Sequence, residues 1–121
     1  MKNDLWYAGE GFWVVYCEDA GIITEFKKIK ALQESAVYFH YRGKGKHASQ
    51  FKFQQGEPLE RGKCLLSYVC ARLHFDFSAA LELYRNNDST PYLEKYPVGF
   101  YQLELFPEYY LAKPAKTRSR Q

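Results

Sequence analysis

At 121 residues, 46% of them hydrophobic and 18% aromatic, the chain is long enough to bury one core and form one domain. Its formal charge of +3 rests on Lys113, Lys116, Arg118 and Arg120, which follow the last carboxylate, Glu108; the body before them is near neutral, unlike a uniformly basic nucleic-acid binder. Three cysteines without C-x-x-C spacing, an opening Met1–Trp6 with no apolar leader, and no run of about 18 apolar residues argue against a disulfide framework, secretion and a membrane span, so a cytoplasmic protein is expected.

In chain order, Phe12–Glu18 is rich in aromatic and β-branched residues and predicts a strand, with Gly9 and Gly11 before it. Glu18-Asp19-Ala20-Gly21 has turn chemistry. In Ile22–Leu32, the spacing of Ile22, Phe26, Ile29 and Leu32 fits a helix, whereas Ile22-Ile23-Thr24 favours extended chain. The short turn before it suits a hairpin, so a strand pairing back on Phe12–Glu18 is expected.

Val37–Arg42 alternates, with Val37, Phe39 and Tyr41 on one side and Tyr38, His40 and Arg42 on the other. A hairpin over Val37–Phe53 would set Phe39 and Tyr41 against Phe51 and Phe53 as a buried aromatic ladder. Tyr38, His40, Arg42 and Lys52 would face outward. Leu65, Leu66, Val69, Cys70 and Leu73 predict a helix over about Glu60–Leu73, with Pro58 in its first turn. Asp76 is a good N-cap for a second helix carrying Phe77, Ala80, Leu81 and Tyr84 on one face. Val98–Phe106, between Pro97 and Pro107, reads as a last strand, and 113–121 as a basic, disordered tail beyond a 1–112 domain.

The expected fold is α+β. A strongly bent antiparallel sheet comes from about residues 10–56, two helices over about 58–87 cover one face, and the strand near 98–106 rejoins the sheet. The fragment Gly11-Phe-Trp-Val-Val-Tyr-Cys-Glu-Asp-Ala-Gly21, with Val37-Tyr-Phe-His-Tyr-Arg-Gly43, resembles the opening of Tudor and other SH3-like barrels. That resemblance implies a small β-barrel over about residues 10–55, with Trp13, Tyr16 and Tyr41 as candidates for an aromatic pocket.

Chemistry concentrates in Arg42-Gly-Lys-Gly-Lys-His47, where glycines let the backbone approach a ligand and the cations suit an anion. The P-loop spacing is absent. Flanking aromatics on a sheet face could stack bases. A non-enzymatic module contacting nucleic acid through Tyr38, His40, Arg42, Lys44, Lys46 and Lys52 is therefore the leading expectation. A solvated hairpin tip would carry the same residue types.

The alternative is an adaptor or inhibitor that docks on a partner protein through exposed Tyr and Trp. A third reading is a metal-independent ribonuclease using His40 and His47. Leu66–Leu83 can be scanned as a helix-turn-helix, but Glu82 would repel phosphate and Arg85 is the sole cation of its second helix. Cys64 near a helix start lacks a base on its own helix face, since His74 lies ten residues on. No cofactor and no metal are expected.

Overall fold

The structure, a computed structural model, describes residues 2–39 and 45–97, with Lys46 placed by its backbone alone. Two hairpins build its sheet. The first joins β1 (Asn3–Gly9) to β2 (Phe12–Cys17) through Gly9, Glu10 and Gly11, whose φ angles are 91°, 55° and 81°. Glycine adopts such angles without a Cβ penalty, and Tyr7 secures the turn by accepting the Gly11 N–H at 2.8 Å. Strand β1 was not expected, because Asn3 and Asp4 are poor strand formers. Its Leu5 and Tyr7 are buried opposite Val15 and Trp13, so tertiary pairing carries it.

The second hairpin pairs β3 (Gln33–Phe39) with β4 (Lys46–Gln54), and β4 also pairs with β2. All pairings are antiparallel and the order is β1-β2-β4-β3. Among the described residues the sheet is open rather than closed into a barrel, with β1 and β3 at its edges.

Two expectations are corrected here. First, the segment after β2 is a helix, α1 (Ala20–Lys27), not a strand. Asp19, read as a turn residue, is its N-cap, and its carboxylate accepts the N–H groups of Gly21 (2.9 Å) and Ile22 (3.2 Å). Ile22, Ile23 and Phe26 are buried, and Phe26 meets Phe51 edge-on at 5.6 Å. This cap and burial outweigh a helix penalty of at most about 0.7 kcal/mol per β-branched residue. Second, Phe39 does not pair with Phe51 or Phe53 as the ladder requires: Phe51 faces Glu34 in β3, and Tyr41 lies outside the described residues. Phe39 stands opposite Lys46, while Phe51 and Phe53 stand opposite Val15 and Trp13 of β2.

The first helix after the sheet starts later than expected, as α2 (Leu65–Leu73). Gly62 sits at φ 79° and donates its N–H to Ser67 Oγ at 2.7 Å, so Pro58 and Glu60 stay outside the helix. Cys64 gives the helix no side-chain cap; Gln55 Oε1 accepts the Leu65 N–H instead, at 2.8 Å. Glu25 ties α1 to α2 by accepting from Tyr68 Oη and Arg72 Nε.

Helix α3 (Phe77–Arg85) begins as expected, with Asp76 accepting the Ala79 N–H at 3.1 Å. Its Tyr84 lies over Trp13 and meets Tyr7, which places the helix on the Trp13 side of the sheet. Ala79 is buried, and Arg85 is 3.7 Å from Glu82, so the face a DNA-reading helix would present is neither open nor cationic.

The described chain divides into two units between Pro91 and Tyr92. The first holds β1–β4 and α1–α3; the second is represented by α4 (Tyr92–Lys95), in which the Tyr96 N–H reaches Tyr92 O at 2.7 Å. The expected strand Val98–Phe106 and the basic tail lie outside the described residues. No helix among the described residues is long and apolar enough to cross a membrane.

Candidate nucleic-acid interface

Strand alternation gives the sheet two unlike faces. Leu5, Tyr7, Trp13, Val15, Cys17, Ser49, Phe51 and Phe53 are buried on the face that receives α1 and α3. The other face carries Trp6 from β1, Phe12, Val14 and Tyr16 from β2, Gln50, Lys52 and Gln54 from β4, and Tyr38 from β3. Of these, Lys52, Gln54 and Tyr38 are exposed, while Trp6, Phe12 and Tyr16 are half-buried.

At one end of this outer face, Tyr16 and Tyr38 meet edge to face, with ring centroids 5.7 Å apart. Gln50 lies between their strands, and the Tyr38 hydroxyl donates to its Oε1 at 3.1 Å. Toward the other end, Lys52 Nζ stands 4.7 Å from the centroid of Phe12. Aromatic rings and a cation thus share one face.

Glu18 anchors the tyrosine end. Its carboxylate accepts the Lys2 N–H at 2.8 Å and the Tyr16 hydroxyl at 2.8 Å, and it lies 3.3 Å from His47 Nε2. The Lys2 N–H above all, then Tyr16 and His47, hold this carboxyl below the usual carboxylate range, against burial, which would raise it. Burial, together with the hydrogen bond to Glu18, pushes the Tyr16 phenol up to about 12, so it stays a donor at neutral pH.

A lowered folded-state pKa stabilises the fold above the ordinary carboxylate range and ceases to as pH falls through it. Glu18→Gln is therefore expected to lower the urea midpoint at neutral pH. The deficit should shrink as the pH falls through the ordinary carboxylate range and below it, where the native carboxylate also takes up a proton. A pH-independent deficit would assign Glu18 a purely steric role.

The expected site residues separate. Tyr38, 41% exposed, and Lys52 face outward as expected. Lys46 is placed opposite Phe39. His40, Tyr41, Arg42 and Lys44 lie outside the described residues. The aromatic pocket is corrected: Trp13 is 0% exposed and packed on Phe53 and Tyr84, while Tyr16 lies on the opposite face, so the two cannot line one pocket.

Cys17 and Cys70 are buried; burial pushes the Cys17 thiol up to about 11 and the Cys70 thiol further, so neither is a thiolate at neutral pH. Sequence reasoning missed Trp6 and Phe12 on the outer face. It also placed Phe39 in the core, whereas that ring is 68% exposed beside a register shift between Tyr38 and Phe39.

Comparison with protein-family models, with curated proteins and with solved structures finds no match to this chain.

Proposed function

We propose that this chain is a small, non-enzymatic binding module that contacts nucleic acid through the outer face of its sheet and the Val37–Phe53 hairpin. The observation that supports it most is the shared outward face of Tyr16, Tyr38, Phe12 and Lys52, with Tyr16 and Tyr38 in edge contact at 5.7 Å. Bases stack on such rings whatever their identity, and cations beside them follow the phosphates. The loop cations Arg42, Lys44 and Lys46 follow Tyr38 in the same hairpin and would extend that track.

Fluorescence anisotropy with labelled single-stranded oligonucleotides tests the reading. The logarithm of the affinity should fall linearly with log salt, with a slope of about 0.7 per phosphate neutralised. Replacing Arg42, Lys44 and Lys46 together by Ala should reduce that slope by about 2. No binding to any DNA or RNA at low salt would sink the proposal.

A protein partner is the second reading, and Phe39 favours it. This ring is 68% exposed on β3, an edge strand, and such an edge can accept a strand from another chain. A partner recovered from lysate that resists the loop substitutions but is lost with Phe39→Ala would select this reading.

A further inference from the structure

Strand β4 runs past the start of β3. Gln33 pairs with Lys52, so Phe53 and Gln54 have no partner in β3. There a cleft of about 270 Å³ opens, lined by Phe12, Ala31, Gln33, Lys52, Phe53 and Gln54. Gln54 leans toward the β2 side, with its Cγ 3.8 Å from where a Gly11 Cβ would stand, while Gln33 enters from β3. Two amides therefore flank the cleft beside the Phe12 ring. The nearby glutamines are engaged: Gln50 accepts from Tyr38, and Gln55 accepts the Leu65 N–H. The side chains of Gln33, Gln54 and Lys52 have no hydrogen-bond or salt-bridge partner among the described residues.

We propose that this cleft is a base subsite for single-stranded nucleic acid that prefers adenine. The proposal rests on the nucleic-acid reading above and names what one part of that face selects. Phe12 supplies a stacking platform open to any base. Lys52 occupies that platform, 4.7 Å from the ring centroid, but an exposed cation–π contact is weaker than base stacking. An incoming base displaces the ammonium, and its flexible four-carbon stem lets it turn to the adjoining phosphate.

Selectivity comes from the amides. Each carries a donor and an acceptor and pairs with a base edge offering the complementary two. Adenine presents such a pair on both edges, N6 with N7 and N6 with N1. Guanine offers such a pair on its Watson–Crick edge, O6 with N1–H, but only acceptors, N7 and O6, on its Hoogsteen edge, and the pyrimidines likewise have only one such edge. Two amides on opposite sides are both satisfied by adenine.

The test measures anisotropy of labelled oligo(rA), oligo(rU), oligo(dA) and oligo(dT) of about 12 nucleotides, within the roughly 4–16 that a small fold covers. At low salt the wild type should bind the adenine oligomers about 5- to 150-fold more tightly than the uracil or thymine ones in the ribo series, the deoxy series or both. The series that binds identifies the sugar. Gln33→Ala with Gln54→Ala, both at exposed positions, should abolish that preference by lowering affinity for the adenine oligomers more than for oligo(rU) and oligo(dT). Circular dichroism checks that the double variant folds. Equal affinity for all four oligomers, or a preference that survives the double variant, would overturn the subsite and leave the broader interface standing. Absence of binding to every oligomer would overturn both.

Discussion

Trp13→Ala is expected to destabilise the first unit by about 3–5 kcal/mol. The indole is 0% exposed, at the centre of a ring cluster: 4.9 Å from Tyr7, 6.5 Å from Phe53 and 6.4 Å from Tyr84 between centroids. These rings come from β1, β4 and α3, so one side chain joins both hairpins to a helix. Its Nε1–H also donates to Gln55 O at 3.1 Å. Gln55 in turn donates its N–H to Gly11 O at 2.7 Å and caps α2 at Leu65. Truncation would leave a cavity and remove a partner from that carbonyl, and both effects destabilise. Against a total stability of about 5–15 kcal/mol, such a loss removes a large share of the fold. Trp13→Phe keeps a ring in the cluster and gives up the hydrogen bond, worth about 0.5–1.5 kcal/mol net, so its midpoint in a urea titration should fall between wild type and Trp13→Ala. A Trp13→Ala loss below about 1 kcal/mol would contradict the packing described for this cluster.

Much of this arrangement is legible in the sequence where the signal is local. Asp76 followed by Phe77, Ala80 and Tyr84 announces α3, and the alternation of Phe51, Lys52 and Phe53 assigns the two faces of β4. Errors fall where distant residues decide. Asn3-Asp4-Leu5-Trp6 has a weak strand signal and becomes β1 through pairing with β2. Ile22-Ile23-Thr24 favours extended chain by composition, yet the Asp19 cap and the burial of Phe26 against Phe51 make it a helix. The site divides in the same way. The outward placement of Tyr38 and Lys52 follows from alternation. That Tyr16 meets Tyr38 depends on β4 lying between β2 and β3, which no local pattern encodes. The exposure of Phe39 beside a register shift is likewise invisible in a period-two pattern.

The second large effect concerns binding. Tyr16→Ala and Tyr38→Ala are each expected to weaken single-stranded nucleic-acid binding by about 1–3 kcal/mol, the contribution of one base–aromatic stack, or roughly 5- to 150-fold. Their rings touch, with centroids 5.7 Å apart, so the double variant should depart from the sum of the singles. The phenylalanine variants separate stacking from polar roles. Tyr38→Phe gives up only the bond to Gln50 Oε1 and keeps the platform, so its affinity should stay near wild type. Tyr16→Phe releases the donor that helps hold Glu18 low, so it should affect stability above the carboxylate range more than affinity. Tyr38→Ala is the cleaner of the two truncations, because a ring 41% exposed contributes little to the core. Stacking also differs from phosphate contact in its salt response: the tyrosine variants should lower affinity at every salt concentration by a similar factor and leave the slope unchanged, whereas the loop lysine and arginine substitutions should change the slope. A folded Tyr38→Ala variant with wild-type affinity would remove the sheet face from the interface, and retention of a partner protein by that variant but not by Phe39→Ala would move the binding surface to the β3 edge.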